Sequence, residues 1–164
     1  MKLQWTQIES GDREVWASQL LHDDSVESPF VIVLVAEDWA DMIGESELSE
    51  SDRRFHKKHG GVYLAWLHLL PPLSDENLKK LDTSESEFPL YAADAVGYGF
   101  GAPVMSPDGP SSWNTKRHAN LGGAVKEAKR YAEDHVVEDI DNVLSRRVNQ
   151  MGEIAERWFL NSIR

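Results

Sequence analysis

Asp52, His56 and His59 are spaced four and three residues apart, so on a helix their side chains share one face within reach of a single divalent ion. Neutral imidazoles beside a carboxylate suit zinc or a similar borderline cation, and an open fourth position would hold a water for metal-assisted hydrolysis. Arg53, Arg54, Lys57 and Lys58 are interleaved with them, and four nearby cations oppose another positive charge. Gly60-Gly61 follows at once and shortens any helix there. The segment reads first as a solvent-facing basic stretch that pairs with the acids before it. A small metal-assisted hydrolase is the alternative.

Other catalytic patterns are weaker. His68 sits inside an apolar run, the usual setting of a core histidine. His22, His118 and His135 lie in polar stretches with no nucleophile paired to them by spacing. The chain contains no Gly-x-Ser-x-Gly elbow, no His-Glu-x-x-His helix and no Gly-x-x-x-x-Gly-Lys phosphate loop. It has no cysteine, which excludes disulfides, thiolate metal sites and cysteine nucleophiles. Gly97-Tyr98-Gly99-Phe100-Gly101-Ala102 fits the dinucleotide fingerprint in letters, but Pro103 removes the helix whose amides would meet a pyrophosphate. The same glycines and aromatics resemble the centre of an RNA-recognition strand, yet Val96 replaces its leading basic residue. The segment reads as a strand end or bulge, and nothing in the sequence calls for a cofactor.

Charge carries more information. The 164 residues include 28 acids and 17 bases, a net charge of −11. Residues 1–95 hold 19 acids against 8 bases and residues 96–164 hold nine of each, so the excess lies wholly in the front. Glu37, Asp38, Asp41, Glu45, Glu47, Glu50 and Asp52 place seven acids in sixteen residues with no base among them, and Trp39 lies within the run. Such a run repels phosphates and anionic lipid and attracts cationic partners. Further along, Trp113 precedes Lys116, Arg117 and His118, an aromatic followed by cations of the kind that dominate interface hot spots.

These residues need a scaffold. Leu3 to Ile8 and Arg13 to Leu20 flank the turn-rich Glu9-Ser10-Gly11-Asp12, which predicts a hairpin. Phe30-Val31-Ile32-Val33-Leu34-Val35 predicts a central strand, and the acidic run a short irregular helix. Val62 to Leu70, opened by two glycines and closed by Pro71-Pro72, predicts a second buried strand. Ser74 caps a short helix through Leu81, residues 82–87 are polar linker, and Tyr91 to Phe100 reads as a further strand. Residues 102–119, with three prolines, read as a long surface loop. From Asn120 the period becomes helical, with Leu121, Val125, Ala128, Ala132 and Val136 on one face. A second helix, 138–162, carries Leu144, Val148, Met151, Ala155, Trp158 and Ser162 in a heptad-like stripe.

The expectation is a single α+β domain over 1–164, β-rich to residue 100, a loop over 101–119 and helical over 120–164. A mostly antiparallel N-terminal sheet would be packed by two C-terminal amphipathic helices. With no run of about 20 apolar residues and no apolar leader after Met1, the chain reads as cytoplasmic and free of membrane. The function these features favour is non-enzymatic: an acidic binding or inhibitor protein, of the size and charge found among phage and mobile-element inhibitors, that engages a basic and even nucleic-acid-binding protein. Glu37, Asp38, Trp39, Asp41, Glu45, Glu47, Glu50, Asp52, Trp113, Lys116 and Arg117 are its expected contacts, with no direct nucleic-acid binding. An assembly subunit or homodimer built through the 138–162 helix is the remaining reading.

Overall fold

The computed structural model describes residues 3–22, 26–71, 73–81 and 91–136. Five antiparallel strands lie in chain order: β1 (Thr6–Glu9), β2 (Glu14–His22), β3 (Val26–Asp38), β4 (Tyr63–Leu70) and β5 (Ala102–Pro103). The expected hairpin is β1 to β2, which pair Thr6 with Ala17 and Gln7 with Trp16. The apolar run does form the central strand, since β3 is bonded to β2 on one side and β4 on the other. Its alternation sends Phe30, Ile32, Leu34 and Ala36 into one core and Val31 and Val33 into a second. A strand apolar on both faces must be covered on both.

The first face is covered by α5 (Leu121–Tyr131) and a wider π-helical turn, Ala132–Val136. Asn120 caps α5, its side chain accepting from the Gly123 amide. Ala124, Val125, Ala128, Ala132 and Val136 are all buried, as the 3.6-residue period from Asn120 onward requires. Three of them are alanine, so the helix backbone comes close to Leu34 and Leu67 without voids. The expected helix over 138–162, and the dimer assigned to it, lie outside the described residues, as does the linker over 82–87.

The second face is covered by a segment expected to be a strand. Tyr91 to Phe100 instead forms α4 (Ala92–Gly97), with Ala92 and Ala95 fully buried against Val31, Val33 and Val15. Three alanines in four residues favour helix, and burial of two spaced three apart overrides the β preference of Tyr, Val and Phe. The glycine-rich stretch is the helix stop. Gly99, at φ 83, donates to the Val96 carbonyl and Phe100 donates to Ala95, the paired bonds of a Schellman cap. The helices therefore lie on both sheet faces, not only at the C-terminus.

Two further features depart from the sequence reading. Residues 102–119 are not a free loop: beyond β5 they run along the outer edge of β4, where Val104 donates to Leu67, Thr115 to Ala65, and His118 and Tyr63 exchange bonds. The buried Thr115 hydroxyl also accepts from the Ala65 amide at 3.0 Å. This strap satisfies an edge that would otherwise invite pairing. The acidic run is likewise folded, as α1 (Trp39–Ile43), a 3₁₀ turn (Glu45–Glu47) and α2 (Glu50–His59). A short helix, α3 (Asp75–Lys79), capped by Ser74 as expected, leads Leu81 into the second core. Among the described residues no helix is long and apolar enough to cross a membrane.

The α4 stop gives a paired test. Gly99→Ala forces a side chain into the left-handed region and should cost about 1 kcal/mol in urea unfolding. Gly97→Ala, helical and facing open space, should be neutral or stabilise by up to about 1 kcal/mol.

Candidate functional site

The helix required by the Asp52, His56 and His59 spacing exists, but its side chains do not converge on one point. Asp52 turns to Arg117, with 3.1 Å between Oδ1 and Nη1. His56 turns to Glu45, Nε2 to Oε1 2.9 Å, and His59 packs against Phe55 in a tilted arrangement, 4.4 Å between ring centroids. Among the described residues no group of three or more potential metal ligands comes together. The neighbours explain the outcome, since each candidate ligand has a different partner: Asp52 on the strap, His56 in the 3₁₀ turn and His59 on its own helix.

The acidic residues separate into two populations. Asp38 is structural: its Oδ1 accepts from the Ala40 amide at 3.1 Å, capping α1, and from the Val62 amide at 3.0 Å, tying β3 to the start of β4. Glu37 faces Arg13 at 3.4 Å, Glu45 faces His56 and Asp52 faces Arg117. Asp41, Glu47 and Glu50 are exposed and have no ionic partner among the described residues. Ser49 caps α2 by accepting from the Asp52 amide at 3.2 Å, while Leu48 is buried, so the 3₁₀ turn and the start of α2 are anchored.

The cationic loop meets the same surface from behind. Arg117 bridges to Asp52 and its guanidinium lies 5.5 Å from the Phe55 ring centroid. These groups, with Lys116, Leu64 and Asn114, line an open hollow of about 550 Å³. Trp113 is not an outward anchor: it is half-buried and stacks on Tyr131 at 3.9 Å. The Lys116 amide and the His118 ring both bond to Glu127 on α5, the latter at 2.8 Å. Trp39 is also half-buried, its ring 6.0 Å from that of Trp66.

A second site was not anticipated. On the α4 face, Val15, Val35 and Trp66 stand opposite one another across β2, β3 and β4, and Ala17, Val33 and His68 form the next row. Between α1 and α4 this floor is open, forming a groove of about 660 Å³ lined by Arg13, Glu37, Met42, Trp66, His68, Asp94 and Tyr98 among others. Met42 and Tyr98 are the exposed large hydrophobic residues of the described chain, at 51% and 47%, and they lie on the groove's walls. The sequence signal was the pair Trp66 and His68, two apart in a strand and so on one face amid aliphatic neighbours.

Arg13 is firmly held in this groove. Its Nε and Nη2 meet the two Glu9 oxygens at 2.6 and 3.1 Å, a fork that holds the Glu9 carboxyl below its usual range and raises the guanidinium further. His68 is mostly buried, and desolvation pushes its imidazole below the usual 6.5, favouring the neutral form. Its Nδ1 is buried without a hydrogen-bond partner among the described residues.

No family model, no curated protein and no solved structure matches this chain. The site rests on its own geometry.

Two outcomes are expected from this arrangement. Asp38→Ala should cost about 1–2 kcal/mol in urea unfolding through loss of the cap, while Asp41→Asn, Glu47→Gln and Glu50→Gln should each change stability by less than about 0.5 kcal/mol. Because the folded state favours neutral His68, the unfolded chain binds the extra proton as pH falls below the imidazole's usual value, and the stability from this group is lost on acidification. The unfolding free energy of His68→Phe relative to the parent should therefore rise between about pH 7.5 and pH 5.5. A constant difference would show that His68 titrates alike in both states.

Proposed function

We propose that this chain is a non-enzymatic acidic binding protein that engages a basic protein partner through the surface formed by α1, the 3₁₀ turn and α2. One observation carries the reading: Asp41, Glu47 and Glu50 stand exposed, with no ionic partner among the described residues, on a ridge anchored by the buried Leu48, the Asp38 cap and the Ser49 cap. Carboxylates on anchored backbone lose little conformational freedom when they meet a partner, so more of their attraction survives as binding. Asp38, Glu37 and Asp52 support the ridge from below, and exposed Met42 supplies an apolar contact beside Asp41.

Association would be steered by the excess negative charge of residues 1–95 and weakened by salt. Arg53, Arg54, Lys57 and Lys58 on α2 are exposed as well, so the same helix sets a positive border to the acidic patch. That border gives a partner an orientation, because basic groups are attracted at one end of α2 and repelled at the other.

Selection from a random peptide display library tests the reading without presupposing a partner. Enriched peptides should be rich in arginine and lysine, bind more weakly as salt rises from about 50 to 300 mM, and lose at least about tenfold in affinity to the Asp41→Asn, Glu47→Gln, Glu50→Gln triple variant. Enrichment of neutral or acidic peptides, or a triple variant that binds them unchanged, would overturn it.

A further inference from the structure

The geometry points to the groove between α1 and α4 as the deep anchor site of this surface, built to take a guanidinium or ammonium side chain projected by an extended basic segment of the partner protein. The inference rests on the basic-partner reading and adds where, and by what chemistry, the partner is gripped.

Three observations lead to it. The charge balance of the groove is negative: Glu37 and Asp94 line it, and its lone lining cation, Arg13, is already bound at two points to Glu9 and at a third to Glu37. Asp94, in the first turn of α4, has no ionic partner among the described residues. The floor is the second observation. Trp66 lies half-buried between the Val15–Val35 row and the ring of Trp39, a fixed aromatic surface with carboxylates nearby. A cation there gains from the aromatic face and from the carboxylates together, while its alkyl stem lies along Val35 and Val96. The third is continuity with the ridge. Met42 follows Asp41 in α1 and lines the groove, so one helix carries both an exposed carboxylate and a wall of the groove.

The volume fits the same occupant. About 660 Å³ of open space, walled by exposed Met42 and Tyr98, is larger than one arginine side chain and accommodates it with adjoining backbone. Part-buried His68 at the floor, held toward its neutral form by desolvation, adds little competing positive charge.

Fluorescein-labelled nona-arginine and a glycine–serine nonapeptide serve as probes, with affinity read by polarisation at about 50 mM salt and contact read from the amide and indole resonances of the whole chain. Nona-arginine should bind, the neutral peptide should not, and the resonances of Val35, Trp66, His68 and Val96 should move. Asp94→Asn should weaken binding about three- to tenfold. Gly97→Trp, which fills the groove from a helical position with open space at its Cβ, should weaken it more than tenfold. Unchanged unfolding midpoints for both variants keep the comparison clean. Loss of binding in the ridge triple variant, with Asp94→Asn and Gly97→Trp binding as the parent does and the groove resonances still, would overturn the groove and leave the ridge reading intact. The reverse pattern, groove variants impaired and ridge variant unimpaired, would sustain the groove and remove the ridge. Failure of nona-arginine to bind at all would overturn the anchor site, and the library selection would then decide the broader reading by itself.

Discussion

The structure depends on β3 being apolar on both faces. Phe30, Ile32, Leu34 and Ala36 cannot be left facing water on one side, nor Val31 and Val33 on the other, since each such side chain brings roughly 1–3 kcal/mol only when covered. One cover is long and continuous, about four turns of α5 and its π-helical extension reaching from Leu121 to Val136. The other is short: α4 contributes six residues, with α3 and Leu81 beside it. A sheet covered fully on one face and partly on the other has a groove on the second, and that is where the part-buried Val35, Trp66 and His68 line an opening to solvent. The candidate site follows from unequal cover, not from a separate device.

The same accounting applies to charge. Acidic runs on flexible backbone spread their repulsion by moving apart, but here α1 and α2 fix the carboxylates in place and the repulsion must be offset locally. Arg13, His56 and Arg117 do this for Glu37, Glu45 and Asp52, each across a long sequence gap, and the two main-chain amides of Ala40 and Val62 do it for Asp38. Glu37 and Asp52 meet their partners part-buried, whereas Glu45 is itself exposed beside His56. Asp41, Glu47 and Glu50 are left on the side toward solvent, so the potential of the run is directed outward.

Much of the scaffold was legible because it is written in short-range pattern. The unbroken apolar stretch at 30–35, Gly60-Gly61 before β4 with Pro71 after it, Ser74 as a cap, and the four-and-three spacing from Leu121 to Val136 each specify their element within one window. Tyr91 to Phe100 was not legible, because Tyr91 offers no side-chain cap and its aromatics and valine suggest strand. Only the burial of Ala92 and Ala95, a tertiary fact, decides for helix. The surroundings of the candidate site residues were not legible for a related reason. Trp113 looks exposed until Tyr131 is placed against it, and Arg117 looks free until Asp52, 65 residues earlier, is brought to it. Arg13, Glu37, Trp66 and Asp94 come from three strands or turns and a helix, so no spacing in the chain connects them.

Why the groove should stay open, instead of closing over its apolar floor, is answered by the residues at its sides. Gly99 ends α4 with a left-handed residue and turns the chain down into Gly101 and β5, so no further helical turn extends over Trp66. On the opposite side Gly44, at φ 88, ends α1 after Ile43 and diverts the chain into the 3₁₀ turn, away from the sheet. Two glycine stops thus limit α1 and α4. At the groove's side Arg13, held by Glu9 and Glu37, is part-exposed, and closing the groove over Val35 would strip solvent from a guanidinium held by carboxylates. That desolvation opposes closure, so the charged rim and the apolar floor pull the fold in opposite directions at this one place.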